Sequence, residues 1–237
     1  MTLGRDTAIT YLGHSTFRLQ SPGGKQILID PWVMTNPMCP DNLKNVDDLD
    51  LVLITHGHMD HFADALPVLQ ASGATAVGMF EIAAWLNAKG IENAIGMNKG
   101  GSQQVEGITI TAVHADHSSA IQDGEQTVYG GEACGYVIEF ENGFTIYNTG
   151  DTALFGDMRL IAEMHQPDLL MLPIGDHFTM GPAAAAQAIR LTGATRVLPM
   201  HYGTFPLLTG TPEKLRELTT DIPDLQIYDI KPGEKLV

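Results

Sequence analysis

The amino-acid sequence predicts an α/β fold in which two β-sheets pack together with helices on both outer faces, a four-layer αββα sandwich. Each half of the chain begins with strand-like segments joined by tight turns and continues with alternating strands and helices. No linker rich in Pro, Gly or Ser separates the two halves. We therefore expect residues 1–237 to form a single domain.

In the first half, residues 21–24 (Ser-Pro-Gly-Gly) are a turn signal between two strand-like segments. Residues 51–54 are a short apolar run, which is typical of a strand covered on both faces. Gly73 and Gly90 follow helical segments, as C-terminal caps do. The predicted elements are strands over 8–12, 16–20, 27–30 and 51–54, a helix over 64–71, a strand over 74–78, a helix over 81–88 and a strand over 108–113.

In the second half, Asn142-Gly143 is a hairpin signal. Pro182 suits the first turn of a helix, and Gly193 suits the position after its end. Residues 118–131 are expected to be a loop, and the two halves join there. The predicted elements are strands over 134–140 and 144–148, a helix over 157–165, a strand over 169–172, a helix over 182–191, a strand over 196–200, a helix over 212–218 and a strand over 225–230.

The chain is acidic, with 13 basic and 28 acidic residues and a net charge of −15. This charge opposes binding to nucleic acid or to an anionic membrane, whereas a hydrophobic fraction of 44% excludes a disordered acidic chain. The sequence has no long apolar run and no signal-peptide core, so we expect a cytoplasmic protein. Cys39 and Cys134 are then expected to be reduced.

Four metal-ligand side chains follow the apolar run 51–54 directly, in the segment His56-Gly57-His58-Met59-Asp60-His61. Imidazole and carboxylate are ligands of Zn, Mn, Fe and Co. His56 and His58 are two residues apart and point the same way on an extended chain. Asp60 and His61 fall on the turn into the next helix, so one loop can serve two metal positions.

Three further candidate ligands stand after predicted strands. His117 follows the strand over 108–113, Asp151 follows that over 144–148, and His201 follows that over 196–200. In α/β folds the carboxyl ends of the strands carry the site. Each residue taken singly also fits a turn, cap or surface role, but the joint pattern favours ligation.

Together, His56-x-His58-x-Asp60-His61, His117, Asp151 and His201 resemble the ligand pattern of the metallo-β-lactamase superfamily, over nearly the whole chain. Other stretches resemble its branch of metal-dependent hydrolases that includes the ascorbate-phosphate lactonases. These stretches are residues 12–15, 117–119, 150–152, 173–181 and 200–206. The resemblance implies an αββα sandwich with a dinuclear site at one edge.

The resemblance also implies which residues hold each metal. The first ion is expected on His56, His58 and His117, and the second on Asp60, His61 and His201, with Asp151 bridging them. His114 is an alternative to His117, because strand ends are uncertain by about two to four residues. Asp176 departs from the branch pattern, which has a small residue before His177.

The expected reaction is hydrolysis of a small ester, lactone or phosphoester by a metal-bridging hydroxide. The cofactors would be two divalent ions, with zinc as the first expectation and Mn, Fe or Co as alternatives. Asp151 would orient the nucleophile. His14 and His177 are candidate proton donors to the leaving group, or residues that orient metal ligands.

Two other functions remain open at this point. One is a mononuclear iron dioxygenase on the same fold, and the other is a non-catalytic metal-binding protein. The expected partner is a small-molecule substrate, with no nucleic acid and no membrane, and a homo-oligomer is compatible with the resemblance.

Overall fold

A computed structural model describes residues 3–4 and 6–237. The first half, in chain order, contains β1 (Ala8–Gly13), β2 (Thr16–Gln20), β3 (Gln26–Ile29), β4 (Leu51–Leu53), α1 (Met59–Phe62), α2 (Ala65–Ser72), β5 (Thr75–Met79), α3 (Phe80–Ala88) and β6 (Ala94–Met97). A short 3-10 turn, Asp41–Leu43, lies between β3 and β4.

The remaining elements are β7 (Ser102–Val105), β8 (Ile108–His114), β9 (Ala120–Asp123), β10 (Gln126–Tyr129), β11 (Cys134–Glu139), β12 (Thr145–Asn148), α4 (Met158–His165), β13 (Leu169–Pro173), α5 (Pro182–Thr192), β14 (Arg196–Met200), α6 (Pro212–Glu217), β15 (Gln226–Ile227) and β16 (Lys235–Leu236).

The strands form two seven-stranded mixed sheets and one separate hairpin. The order in the first sheet is β16-β1-β2-β3-β4-β5-β6, and that in the second is β15-β14-β13-β12-β11-β8-β7. In both sheets the hairpin strands are antiparallel and the strands that follow them are parallel. The last strand, β16, is an exception and pairs antiparallel with β1. This change from antiparallel to parallel pairing agrees with the sequence, because tight turns join antiparallel strands and helical crossovers join parallel ones.

Three apolar clusters separate four layers, which confirms the αββα prediction. Leu51 and Leu53 of β4 point into a cluster shared by the two sheets. Val52, between them, points to the opposite face, into a cluster beneath α2 and α3. Leu170 and Leu172 of β13 point into a third cluster beneath α4, α5 and α6. The alternation follows from the two-residue period of a strand.

Several elements have no counterpart in the sequence prediction. The sequence analysis did not predict the strands β6, β7 and β16 or the helix α1. It also did not predict the β9–β10 hairpin, which occupies the predicted loop over 118–131. These pieces are short, and β7 and the hairpin are mostly polar, so hydrophobic periodicity gives no signal. The strand predicted over 225–230 is wrong in length, because only Gln226 and Ile227 pair with β14.

Candidate metal centre

The histidine loop leaves β4 and enters α1 at one edge of the sandwich. His56 and His61 are buried, whereas His58 and Asp60 are half-buried. His58 caps the amino terminus of α1, and Asp60 and His61 lie within that short helix. The loop therefore presents His56 and His58 before the helix and Asp60 and His61 within it, which agrees with the prediction that one loop can serve two metal positions.

Gly57 brings the β9–β10 hairpin against this loop. Its backbone N–H donates to Ser119 Oγ at 3.2 Å. A Cβ atom at Gly57 would lie 2.8 Å from the side chain of Ile121 and 2.9 Å from the carbonyl oxygen of Ala120. Only glycine allows this approach, so the histidine motif and the hairpin are built as one unit.

Three distant residues complete the cluster, and Asp151 is at its centre. Oδ2 of Asp151 lies 2.9 Å from Nε2 of His201, 3.2 Å from Nε2 of His61 and 3.9 Å from Nε2 of His117. Gly150, at φ +61°, makes the turn before Asp151, and a Cβ there would collide with the carbonyl oxygen of Cys134. The four side chains come from loops after β4, β8, β12 and β14.

The donor atoms form adjacent groups that fit metal coordination. One group is His56, His58 and His117, and another is His14, Asp60, His61 and His201. Within each group the donor atoms lie within 4.8 Å of one another, and His56, His61 and Asp151 form a third such group. Thus, the seven predicted ligands are all brought together, with His14 in addition.

Several buried nitrogen and oxygen atoms of the cluster have no hydrogen-bond partner among the described residues. Among the described residues, Nε2 of His56, Nε2 of His61 and Oδ1 of Asp151 make no hydrogen bond. Nε2 of His117 and Nδ1 of His58 approach to 3.3 Å. Buried polar atoms are normally satisfied, so converging lone pairs of this kind fit bound cations.

Burial and the two carboxylates set the charge of the cluster. Burial holds the pKa of His56 well below its usual range. Burial also opposes a charged His61, but the carboxylates of Asp151 and Asp30 outweigh it and hold the pKa of His61 well above its usual range. Likewise, His201 and His61 outweigh burial at Asp151 and hold its pKa well below the usual range. A charged Asp151 thus lies between a neutral His56 and a protonated His61.

Asp30 is a site residue that the sequence prediction missed. Its carboxylate is buried and accepts hydrogen bonds from Nδ1 of His61 at 2.7 Å and from the backbone N–H and hydroxyl of Thr55 at 2.8 Å each. The available signal was its place at the carboxyl end of β3, next to Pro31. Carboxylates in this role fix the tautomer of a ligating histidine.

His14 lies behind the cluster and is fully buried. Its Nε2 is 3.0 Å from Oδ2 of Asp60, and its Nδ1 is 2.9 Å from Oγ1 of Thr204. Burial lowers the pKa of His14 to about 4, although the bond to Asp60 opposes that shift. A neutral His14 therefore donates from Nε2 to Asp60 and accepts from Thr204 at Nδ1.

The structure does not bring His177 or His114 into the cluster. His177 is exposed and stacks edge-on against Phe178, because left-handed backbone at Asp176 and His177 turns the loop outward. His114 is also exposed, with Nδ1 3.3 Å from Nζ of Lys99. The choice of His117 over His114 therefore agrees with the geometry, and the expected placement of His177 beside the metals does not.

A cavity of about 740 Å³ opens directly over the cluster. His58, Asp60, His117, Asp151 and His201 form its floor. Its walls are Met59, Ser118, Ala120, Gln122, Thr127, Phe178, Phe205, Pro206 and Leu207. This volume suits a small-molecule ligand, and the walls come from α1, the β9–β10 hairpin and two loops of the second half.

Two packed mixed sheets with histidines and aspartates at one edge are the architecture of the metallo-β-lactamase fold. The family described as beta-lactamase superfamily domain matches residues 25–202. A UPF0173 metal-dependent hydrolase from Rubrobacter xylanophilus is 55% identical over 233 residues, which cover 97% of this chain and 96% of that protein. The chain belongs to the UPF0173 metal-dependent hydrolases of this superfamily.

Other relatives agree with this assignment. A UPF0173 metal-dependent hydrolase from Koribacter versatilis is 50% identical over 226 residues, 95% of this chain and 96% of that protein. The solved structure of Igni18, a metallo hydrolase from Ignicoccus hospitalis, is 36% identical, covers 97% of both chains and superposes with a TM-score of 0.85. The resemblance that the sequence motifs indicated is therefore confirmed.

Proposed function

We propose that this metal-dependent hydrolase uses a dinuclear centre to cleave a small ester, lactone or phosphoester. The observation that carries the proposal is the position of Asp151. Its Oδ2 atom lies between Nε2 of His61, Nε2 of His201 and Nε2 of His117, which belong to two adjacent donor groups. A carboxylate shared by two groups is the arrangement that a bridging ligand requires.

In this proposal His56, His58 and His117 would hold one ion, Asp60, His61 and His201 would hold the other, and Asp151 would be shared between them. Zinc is the first expectation, and the same donors accept Mn, Fe or Co. When bound, two divalent ions lower the pKa of a water molecule toward about 7 and polarise the substrate oxygen that gains charge.

The protein's own side chains would orient the attacking water and the candidate metal ligands. Oδ1 of Asp151 has no partner among the described residues and is free to orient the attacking water. His14 donates to Asp60 and is a positioning residue. His177 stays a predicted proton donor, and its neighbour Phe178 lines the cavity. A substrate seated against the apolar walls would displace water from the floor, which would strengthen electrostatic interactions there.

We also propose that residues 1–237 act as one cytoplasmic domain on a small-molecule substrate, with neither nucleic acid nor membrane as partner, and that copies of the chain can associate. Within the described part of the chain, no helix is long and apolar enough to cross a bilayer.

The test combines metal analysis with one substitution. Purified protein should contain two divalent ions per chain and turn over an ester, lactone or phosphoester. Asp151→Ala should abolish turnover and lower metal content while the circular dichroism spectrum is retained. Asp157→Ala is the matched control, because that exposed residue begins α4 and its side chain makes no capping bond.

The outcomes separate the alternatives. One iron per chain after anaerobic purification would favour the mononuclear dioxygenase. Absence of turnover across the substrate panel, with both ions bound, would favour a non-catalytic metal-binding protein. Full activity in Asp151→Ala would overturn the dinuclear assignment.

A further inference from the structure

The walls of the cavity differ sharply in character from its floor. The floor carries histidines and two carboxylates, whereas the most prominent side chains of the wall, Phe178, Phe205 and Leu207, are apolar. Among the described residues that line the cavity, none is a lysine or an arginine. The wall therefore offers apolar surface to a ligand and no side-chain cation to an anionic group.

This apolar wall remains open to solvent. Leu207 is 53% exposed, Phe178 is 51% exposed and Met59 is 63% exposed. These residues come from three separate segments, yet all three border one concavity. Apolar side chains that converge around a concave opening are typical of a binding site and cost solvation energy until they are covered.

The wall is also firmly supported. Phe205 packs against Trp32 with ring centroids 6.1 Å apart, and against His14 at 5.6 Å. Trp32 is buried and its Nε1 donates to the hydroxyl of Thr35 at 2.9 Å. Because His14 in turn donates to Asp60, the same contacts fix the aromatic wall and a ligand of the proposed metal centre. The Phe205 part of the wall is thus held in place by buried side chains.

We infer that the substrate is uncharged and carries an apolar group that lies against Phe178, Phe205 and Leu207, with its reacting carbonyl over the metal cluster. This inference rests on the proposed hydrolase function and narrows it to carboxylic esters and lactones with an aliphatic or aromatic substituent. Phosphate monoesters are disfavoured, because among the described residues that line the cavity no lysine or arginine would support a doubly charged group beyond the two ions themselves.

The experiment compares substrates that differ only in apolar length. With the metal-loaded enzyme, kcat/KM is measured for p-nitrophenyl acetate, butyrate, hexanoate and octanoate, and for p-nitrophenyl phosphate. Each methylene group that the cavity buries should raise kcat/KM by about fourfold. The phosphate monoester should be the poorest substrate of the panel.

Substitution of the wall tests its role directly. Leu207→Ser should lower the ratio of octanoate to acetate kcat/KM by at least about threefold, because apolar contact with the acyl chain is lost. Leu160→Ser is the matched control, since Leu160 is similarly exposed, at 46%, but lies on α4 outside the cavity. The control should keep the ratio of the unchanged enzyme.

A binding measurement separates this inference from the proposed function. Calorimetric titration with methyl hexyl ketone and with acetone needs no turnover. Tighter binding of the longer ketone, weakened in Leu207→Ser only, would support the apolar site even if no substrate were hydrolysed, and such a lack of turnover would overturn the hydrolase proposal alone.

Three results would overturn the inference itself. The first is a preference for p-nitrophenyl phosphate, and the second is no dependence on chain length in either assay. The third is that Leu207→Ser converts an oligomer to a monomer in sedimentation without changing the octanoate-to-acetate ratio. In that case the apolar rim is an interface between copies of the chain.

Discussion

Oδ2 of Asp30 accepts a hydrogen bond from Nδ1 of His61 at 2.7 Å, and both side chains are buried. This bond orients the ring of His61 so that Nε2 faces Oδ2 of Asp151, which lies 3.2 Å away. Asp30 is itself held by two hydrogen bonds from Thr55. The loop after β3 therefore fixes the ring orientation of a candidate ligand that follows β4.

Removing the charge of Asp30 should weaken metal binding. Asp30→Asn keeps the shape of the side chain but replaces one acceptor oxygen with an amide donor, which cannot accept the Nδ1 proton of His61. We expect metal affinity to fall by about 10- to 100-fold, measured by competition with a chromophoric chelator.

Asp64→Asn is the control for this substitution. Asp64 is also buried, and it accepts backbone N–H groups of Val33 and Thr35 at 2.7 and 3.0 Å. It is absent from the groups of metal-ligand atoms. Its substitution should lower thermal stability and leave metal affinity unchanged. Equal losses of affinity in both variants would show that Asp30 acts on stability alone.

His117 and His114 should respond differently to removal. His117→Ala takes away a donor within 4.8 Å of His56 and His58, so one of two bound ions should be lost and turnover should fall by at least about 100-fold. His114→Ala removes an exposed ring that contacts Lys99 and Phe155, and metal content should not change. Elemental analysis of the two proteins checks this, and the reverse result would restore His114 as the ligand.

The β9–β10 hairpin is held over the cavity by contacts at its tip. Nε1 of Trp85 donates to Asp123 at 3.0 Å, and Nζ of Lys89 lies 2.9 Å from the same carboxylate. An isolated two-stranded hairpin is marginally stable at best, so Asp123→Ala should speed amide hydrogen exchange in β9 and β10. The global free energy of unfolding should drop by only about 1 kcal/mol or less.

Asp221→Ala provides the comparison for Asp123→Ala. Asp221 is an exposed carboxylate that pairs with Arg190 at 2.5 Å, and its loss should leave exchange in β9 and β10 unaltered. Should Asp123→Ala also leave hairpin exchange unaltered, the tip contacts do not hold the hairpin.

The two cysteines should be unreactive in the folded protein. Burial raises the pKa of Cys39 to about 11 and that of Cys134 to about 12, and both thiols are free. Since the thiolate is the nucleophile, alkylation by iodoacetamide should be slow until the pH approaches these values. Denatured protein should label at both positions, and rapid labelling of native protein at neutral pH would contradict the expectation.

The raised pKa values of the two cysteines also predict how the free energy of unfolding changes with pH. A thiol whose pKa is raised by folding contributes fully to stability below its ordinary pKa. That contribution is lost as the pH rises from the ordinary value toward the raised one. We therefore expect the free energy of unfolding to decline above about pH 9, and Cys134→Ala should flatten that decline in denaturant titrations.

The sequence by itself determined the layers and the candidate metal ligands. The continuous apolar run of Leu51, Val52 and Leu53 predicts a strand covered on both faces, and apolar runs of this kind define both sheets. The spacing of His56, His58, Asp60 and His61 fixes four donors in one loop, because local geometry follows directly from local sequence. His117, Asp151 and His201 were predictable because strand ends are recognisable and meet at one edge of a sheet.

Only the tertiary structure decided what surrounds these ligands. Asp30, the buried pairing of His14 with Asp60, and the outward turn of His177 depend on contacts between distant segments, which leave no periodic pattern in the sequence. The β9–β10 hairpin and the wall of Phe178, Phe205 and Leu207 depend on how short, irregular segments pack against the sheets. The sequence thus determined the chemistry of the cavity floor, and packing across the fold decided the shape and polarity of the space above it.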